Sequence, residues 1–358
     1  MGIDIPRKVD DVTAEWLARA LAPAHPNLQL HGVDVVEVFS GTATKVRLAL
    51  DHDGDPSVPR GLCLKAGLES HSDMTARTGI YANEARFFLA INDTVGAPAP
   101  RWWWAAVDEA TQAGAVLMED LGRPDVRFCN VSESMTIDEI EAALGALASF
   151  HASRFGADIA REWSWLPWMV VETQGSADYF RTLGPDVIAA ELAKPGRGRV
   201  VPAELHSPDK IVAWFWRWVA TNREGPISLI HGDAHIGNAY LDGSAPLFCD
   251  WQTIRYGRPM FDVAYFLGSA LPISQRRAAE RSLLSSYRER LCAQTDGVPS
   301  LEELWFDYRR NMMYGFFAWL TNLDVYQPER INVATLERFA TAVVDLETTQ
   351  MLGGTHQA

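Results

Sequence analysis

The sequence has no long apolar run, few cysteines and a deficit of positive charge. A membrane-spanning helix needs about 18 or more consecutive apolar residues, and no segment reaches that length. The four cysteines are scattered and form no C-x-x-C pair, so neither a zinc site nor a disulfide framework is indicated. The N-terminus, MGIDIPRKVDD, lacks the apolar core of a signal peptide. These absences predict a cytoplasmic protein without a membrane partner.

The shortage of positive charge also bears on partners. There are 32 Lys and Arg residues against 46 Asp and Glu residues, a formal net charge of −14. Nucleic-acid binding depends on clustered Lys and Arg contacts to phosphate, so we expect no nucleic-acid partner. An acidic surface suits a cationic substrate, or it serves solubility alone. The 358 residues and a hydrophobic fraction of 47% are sufficient for two lobes, each with its own core.

The segments LIHGDAHIGN, residues 229–238, and LFCDWQ, residues 247–252, carry the most information. Phosphoryl transfer from a nucleotide needs a carboxylate near the attacking hydroxyl and oxygen ligands that hold Mg²⁺ against the phosphates. Asp233 is the candidate catalytic carboxylate, which would accept or orient the hydroxyl proton. Asn238 and Asp250 are the candidate Mg²⁺ ligands.

The spacing predicts how these residues meet. Two short strands, Ala239–Asp242 and Leu247–Trp251, flank a predicted turn at Gly243–Pro246. If these strands pair as a hairpin, Asp250 returns to the level of Asn238. A slip of one residue would turn Asp250 to the opposite face.

The pattern H-G-D-x-x-x-x-N followed by D-W resembles the signature of the aminoglycoside phosphotransferase and choline kinase-like superfamily. Its members share the bilobal protein-kinase architecture. Gly232 and the D-W-Q motif differ from the H-R-D and D-F-G motifs of protein kinases, and no A-P-E motif follows; these differences point to small-molecule kinases. The D-W-Q form is similar to the ecdysteroid-kinase-like branch. The resemblance implies an α+β fold with a small antiparallel-sheet N-terminal lobe and a larger, mainly helical C-terminal lobe.

The N-terminal part contains the other landmarks that the resemblance requires. The predicted strand Gly61–Lys65 ends in a lysine, and Glu84 follows nineteen residues later in the helical segment Thr75–Asn92. A kinase uses such a lysine to hold the α- and β-phosphates and such a glutamate to orient it. Lys65 and Glu84 are therefore predicted nucleotide-site residues, with Glu69 as the alternative partner of the lysine.

The segment Ala115–Gly122 is predicted to form a strand and the hinge between the lobes. By the resemblance, the backbone around Glu119 and Leu121 would contact the purine. This hinge divides the chain into a nucleotide-binding lobe, residues 1–120, and a catalytic and substrate-binding lobe, residues 121–358.

The predicted phosphate-covering loop, residues 40–44, lies between the strands Val35–Phe39 and Lys45–Leu50. It has one glycine where protein kinases have three. Hydroxyl and backbone N–H groups at Ser40 and Thr42 would then contact the phosphates.

Helical patterns account for most of the remaining chain. Thr13 is a candidate cap for a leading helix, and residues 160–206 are predicted to be irregular, with loops and short helices. His151 is expected to be a core or interlobe histidine, and Asp262 to stabilise either its own helix or the catalytic loop. The other predicted helices are Thr136–Ser153, Pro208–Val219, Pro259–Leu271, Arg276–Cys292, Leu301–Leu323 and Val333–Leu352.

The sequence therefore predicts Mg²⁺-dependent transfer of the γ-phosphoryl group of ATP or GTP to a hydroxyl of a small molecule. One alternative is a catalytically silent nucleotide-binding protein with a kinase fold. Another is a metal-dependent hydrolase, suggested by the run from His231 to His235, although this would leave Lys65 and Glu84 unexplained. An aminoglycoside, an amino alcohol, a sugar and a steroid-like alcohol all remain candidate acceptors, and the oligomeric state is open.

Overall fold

The computed structural model describes residues 4–69, 72–169 and 179–353. The chain divides into two compact units, one formed by Met1–Arg127 with Phe248–Ile254, the other by Phe128–Leu247 with Arg255–Ala358. The first unit contains a five-stranded antiparallel sheet, and the second is mainly helical. The predicted α+β, protein-kinase-like fold is confirmed.

The sheet of the first unit consists of β1 (Gln29–Phe39), β2 (Thr44–Asp53), β3 (Gly61–Ala66), β4 (Trp102–Asp108) and β5 (Ala113–Glu119). The strand order is β1-β2-β3-β5-β4, and every neighbouring pair is antiparallel. Alternate residues of β2 are buried because successive side chains of a strand point to opposite faces. Lys65, near the C-terminal end of β3, is buried because β3 is the central strand of the sheet.

The leading helix Ala14–Leu21 covers one face of this sheet with Trp16 and Leu17. Thr13 caps the helix, as predicted: its hydroxyl oxygen accepts a hydrogen bond from the backbone N–H of Trp16 at 3.1 Å. A Thr residue at this position satisfies one of the donors that a helix N-terminus leaves unpaired.

The predicted helical segment Thr75–Asn92 is divided. It contains part of the helix Ser72–Ala76, the helix Ile80–Phe87 and a π-helical turn at Phe88–Asn92, which leads into Asp93–Val95. The break falls at Gly79, whose φ of 78° lies in the left-handed region that glycine adopts at low cost.

The helices of the second unit begin and end close to the predicted positions. Thr136 and Ser300 each start a helix with a reciprocal capping box. The predicted helix Val333–Leu352 is interrupted at Glu347, whose φ is 55°. Within the described residues of this unit, the helices are Ile137–Ala152, Ile159–Glu162, Pro185–Ala193, Pro195–Val200, Pro208–Thr221, Met260–Ala270, Ile273–Cys292, Leu301–Thr321, Glu329–Asp345 and Thr348–Gly353. Part of the segment predicted to be irregular, residues 170–178, lies outside the described residues.

Close helix packing supports the region around the H-G-D motif. The helices Met260–Ala270 and Glu329–Asp345 both pack against Leu301–Thr321. A Cβ atom added at Gly268 would lie 2.3 Å from the Phe339 ring, and one added at Gly315 would lie 2.2 Å from the same ring. The two glycines therefore allow the aromatic ring to fill the space between these helices. None of the described helices is long and apolar enough to cross a bilayer.

The hairpin after the H-G-D motif differs from the prediction. Its turn contains only Gly243 and Ser244, and its strands are Ala239–Asp242 and Ala245–Phe248. Gly243 has a φ of 59°, as tight two-residue turns require. The predicted strand to Trp251 is therefore wrong: Asp250 follows the strand in a left-handed conformation, which cannot continue a strand.

Candidate active site

The structure brings Lys65 and Glu84 together. The Lys65 Nζ atom lies 2.7 Å from Oε2 of Glu84 and 2.8 Å from Oδ1 of Asp250. Both members of the predicted pair are buried. Glu69, the alternative partner, instead accepts a hydrogen bond from the Thr44 hydroxyl at 3.3 Å. One ammonium group thus bridges two of the predicted site carboxylates.

Burial and charge act in opposite directions on this group. Burial lowers the pKa of Lys65, but the carboxylates of Asp250 and Glu84 outweigh it and raise that pKa above its usual value. Burial raises the pKa of Glu84, an effect that Lys65 opposes and Asp250 reinforces. Two carboxylates share one ammonium, so the ionised group has an excess of negative charge. Such a group favours the approach of a further cation.

Trp251 attaches the Asp250 backbone to the helix that carries Glu84. The backbone N–H of Trp251 donates to Oε1 of Glu84 at 3.1 Å. Its fully buried ring stacks on Phe87 with a centroid separation of 4.3 Å and an interplanar angle of 3°. The indole N–H also donates to the Phe248 carbonyl oxygen at 2.8 Å. The sequence analysis identified D-W as a motif, but it did not predict that Trp251 would attach the backbone at Asp250 to the helix that carries Glu84.

The predicted hinge residue Glu119 ends β5 and is tied to its surroundings. Its Oε1 atom accepts a hydrogen bond from the backbone N–H of Arg101 at 2.8 Å, and Oε2 lies 3.2 Å from Arg123. Arg47 of β2 donates from Nε to Asp120 at 2.9 Å, a contact that the sequence analysis missed. Leu121 follows, partly exposed. The purine contact proposed for this backbone stays a prediction.

The predicted phosphate-covering loop follows β1. Ser40 is exposed and Thr42 is half-buried. The Thr42 carbonyl oxygen accepts a hydrogen bond from the Tyr81 hydroxyl at 2.5 Å. The loop backbone is therefore attached to the helix Ile80–Phe87, while phosphate contacts by Ser40 and Thr42 stay predictions.

In the second unit, Asn238 holds the candidate catalytic residue Asp233. The Asn238 Nδ2 atom donates to the Asp233 carbonyl oxygen at 2.8 Å and to Oδ2 of its carboxylate at 3.0 Å. Because both bonds use the amide nitrogen, they orient the amide and leave Oδ1 as its acceptor atom. The Asp233 side chain remains 28% exposed. The catalytic loop therefore presents a fixed carboxylate with solvent access.

A network of buried hydrogen bonds stabilises the backbone of this loop. Asp262 is fully buried and accepts hydrogen bonds from the backbone N–H groups of His231 at 2.6 Å and Gly232 at 3.0 Å. The His151 Nε2 atom lies 3.3 Å from Asp262, and its Nδ1 atom lies 2.8 Å from the Tyr287 hydroxyl. Of the two roles predicted for Asp262, the structure shows the contact with the catalytic loop. Tyr287 had no sequence signal.

We expect Tyr287→Phe to lower the free energy of unfolding by about 1–3 kcal/mol, because the buried His151 nitrogen loses its hydroxyl partner. Urea denaturation followed by circular dichroism measures the change. Tyr326→Phe is the matched control, since Tyr326 is 57% exposed and should leave the midpoint unchanged. Equal midpoints for the two variants would contradict a structural role of the Tyr287 hydroxyl.

The described ranges contain no group of three His, Cys, Asp or Glu side chains placed to hold a metal ion. The hydrolase alternative, suggested by the run from His231 to His235, therefore has no such ligand cluster within them.

A family model described as the phosphotransferase enzyme family matches residues 76–304, well over half of the chain. The chain belongs to this family. The predicted superfamily and enzyme class are thereby confirmed: this phosphotransferase is a small-molecule kinase by family. Its suggested place in the ecdysteroid-kinase-like branch stays a prediction.

Solved structures show the same fold. A putative aminoglycoside phosphotransferase from Ralstonia eutropha JMP134 is 13% identical, with a TM-score of 0.52 over 92% of this chain and 98% of that one. A variant of aminoglycoside 2'-phosphotransferase IIIa, in complex with GDP, is 11% identical, with a TM-score of 0.50 over 94% and 97% of the two chains. No curated protein matches the phosphotransferase chain.

Proposed function

We propose that this phosphotransferase moves the γ-phosphoryl group of ATP or GTP to a hydroxyl of a small molecule, with Mg²⁺ as cofactor. The observation that carries the proposal is the buried Lys65 ammonium between Glu84 and Asp250. A strand lysine oriented by a helix glutamate is how kinases hold the α- and β-phosphates. The similar aminoglycoside phosphotransferase with bound GDP supports a purine nucleotide as donor.

The chemistry of the donor set fits Mg²⁺. Asp250 offers a carboxylate, 22% exposed, and Asn238 offers the amide oxygen that its own hydrogen bonds leave as acceptor. Oxygen atoms of this kind are the ligands that Mg²⁺ prefers. When bound, the ion would neutralise charge on the phosphates. The excess negative charge around Lys65 favours a cation at Asp250.

Asp233 would act on the acceptor. The acceptor oxygen forms a bond to the γ-phosphorus, and the bond from that phosphorus to the bridging oxygen breaks. The acceptor proton passes to the Asp233 carboxylate, and the nucleoside diphosphate leaves. The hydrogen bond from Asn238 keeps this carboxylate in one orientation.

Calorimetric binding of ATP and GTP, with and without Mg²⁺, tests the proposal. We expect at least one nucleotide to bind in a Mg²⁺-dependent way and Asp250→Ala to weaken that binding by about 100-fold or more. The reason is that loss of a metal ligand, or of a residue that orients a ligand, lowers metal affinity by a large factor. Asp51→Ala is the control, because this carboxylate of β2 is 78% exposed. Failure of the wild-type protein to bind either nucleotide would overturn the proposed function.

A further inference from the structure

The face of the sheet that carries Lys65 also carries two cations of β2. Lys45 and Arg47 lie two residues apart on this strand, and the β2–β3 register pairs Lys45 directly with Lys65. Directly paired residues of antiparallel strands point to the same face, with their Cβ atoms about 5 Å apart, and so do alternate residues of one strand. The three cations therefore lie on the face where Lys65 contacts Glu84 and Asp250.

Carboxylates of the first unit neutralise two of these cations but not the third. The Arg47 Nε atom lies 2.9 Å from Asp120, and its Nη1 atom lies 2.8 Å from Glu37. Lys65 is held by the two carboxylates of the candidate site. Lys45, by contrast, is exposed and forms no ion pair with the residues that the structure describes. Its charge is available to an anion from outside the chain.

The backbone places Lys45 at the base of the predicted phosphate-covering loop. This loop comprises residues 40–44, and Lys45 follows it directly. Phe39, which precedes the loop, pairs with Lys45 in the β1–β2 register. Lys45 is therefore held between Phe39 on one side and Lys65 on the other, so its side chain begins beside both the loop and the strand lysine.

The positive charge of Lys45 reaches the carboxylates around Lys65. Burial raises the pKa of Glu84, and Lys65 and Lys45 both oppose that rise. Burial and the charge of Asp250 likewise raise the pKa of the Cys249 thiol, and the same two lysines oppose the rise. The Lys45 ammonium thus lies close enough to the candidate site for its charge to act there.

We propose that Lys45 is a second phosphate-binding lysine, whose ammonium contacts the polyphosphate of the donor nucleotide beside Lys65. This inference rests on the proposed function. A nucleoside triphosphate carries more negative charge than one Mg²⁺ ion neutralises, and the Lys65 ammonium is already shared by two carboxylates. The loop has a single glycine, Gly41, so few of its backbone N–H groups can approach phosphate closely. A lysine on a long, flexible stem at the base of the loop supplies charge in their place.

Calorimetric binding of ATP or GTP with Mg²⁺, whichever the wild-type protein binds more tightly, tests the inference. Lys45→Met should weaken binding by about tenfold, as expected for the loss of a hydrogen bond between charged groups. Lys45→Glu should weaken it further, because a negative charge then lies beside the phosphates. Lys45→Arg keeps the positive charge and should stay within about threefold of wild type.

Two controls accompany these variants. Lys210→Glu changes the net charge by the same amount as Lys45→Glu, but at an exposed position of the helix Pro208–Thr221 in the second unit, and should bind nucleotide like wild type. Because Lys45 is exposed, the urea midpoint of Lys45→Met should equal that of wild type. Higher salt should reduce the difference in affinity between Lys45→Met and wild type, since salt screens an exposed charge.

The outcomes separate this inference from the proposed function. If the wild-type protein binds neither nucleotide, the proposed function itself fails. If it binds a nucleotide and Lys45→Met binds equally well, Lys45 is only a surface lysine: the inference is overturned and the phosphotransferase proposal stands. Equal losses in Lys45→Glu and Lys210→Glu would reduce the effect to net charge and also overturn the contact. A loss in Lys45→Arg as large as that in Lys45→Met would do the same.

Discussion

Asp233→Asn is expected to reduce phosphoryl transfer by about 10³-fold or more while nucleotide affinity stays within about threefold of wild type. The amide has the shape of the carboxylate but cannot accept the acceptor proton. Its oxygen can still accept the hydrogen bond that Asn238 donates at 3.0 Å in the wild-type protein, so the loop should keep its conformation. The variant therefore removes the chemistry of the carboxylate and preserves its support.

Product formation followed by ³¹P NMR and nucleotide affinity measured by calorimetry give the two readouts. Asp296→Asn, in an exposed loop, is the matched control and should behave as wild type. Turnover of Asp233→Asn at the wild-type rate would contradict the proposed role of Asp233. A wild-type protein that binds nucleotide but yields no product with any acceptor would instead favour the catalytically silent alternative.

The parts of the site that the sequence predicted are those that depend on local order. Lys65 follows an apolar strand and Glu84 falls within a helical pattern, so their pairing across nineteen residues required only the strand, the helix and the assumption of a shared core. Asn238 reaches Asp233 within one short loop, which the spacing H-G-D-x-x-x-x-N already contains. In both cases the residue types and their spacing were sufficient to predict which side chains contact each other.

The parts that the sequence did not predict depend on distant contacts. The left-handed backbone of Asp250 accompanies the stacking of Trp251 on Phe87, a tertiary contact that no strand or turn pattern encodes. His151 contacts Asp262, which is 111 positions further along the chain, and Tyr287, which is 136 positions further along. Patterns of neighbouring residues indicate that such groups are buried, but they do not identify their partners.

Lys65→Met is expected to have the largest effect on stability. It leaves Glu84 buried beside Asp250 without the ammonium that neutralises them, and removal of one partner of a buried ion pair costs about 3–5 kcal/mol. Methionine fills a similar volume, so the loss comes from charge and not from a cavity. Lys210→Met is the control, because Lys210 is exposed in the helix Pro208–Thr221 of the second unit.

The loss should depend on pH in a defined direction. Burial already raises the pKa of Glu84 in the wild-type protein, and Lys65 opposes that rise. Without Lys65, the pKa of Glu84 rises further above its ordinary value of 4.5. The folded state then binds more protons than the unfolded state from that value upwards, so stability falls as pH rises through this range. Lys65 itself contributes no pH dependence there, since its pKa is raised from 10.5 and its proton is lost only at still higher pH.

Urea denaturation of Lys65→Met and Lys210→Met at pH 5 and pH 8 measures this dependence. The Lys65→Met midpoint should fall below wild type by more at pH 8 than at pH 5, while Lys210→Met should follow wild type at both. Glu84→Gln combined with Lys65→Met removes the titrating carboxyl, so the double variant should lose the additional pH dependence. An equal loss at the two pH values in the single variant would mean that Glu84 does not take up the proton. The raised pKa assigned to Glu84 through its burial and the charge of Asp250 would then be wrong.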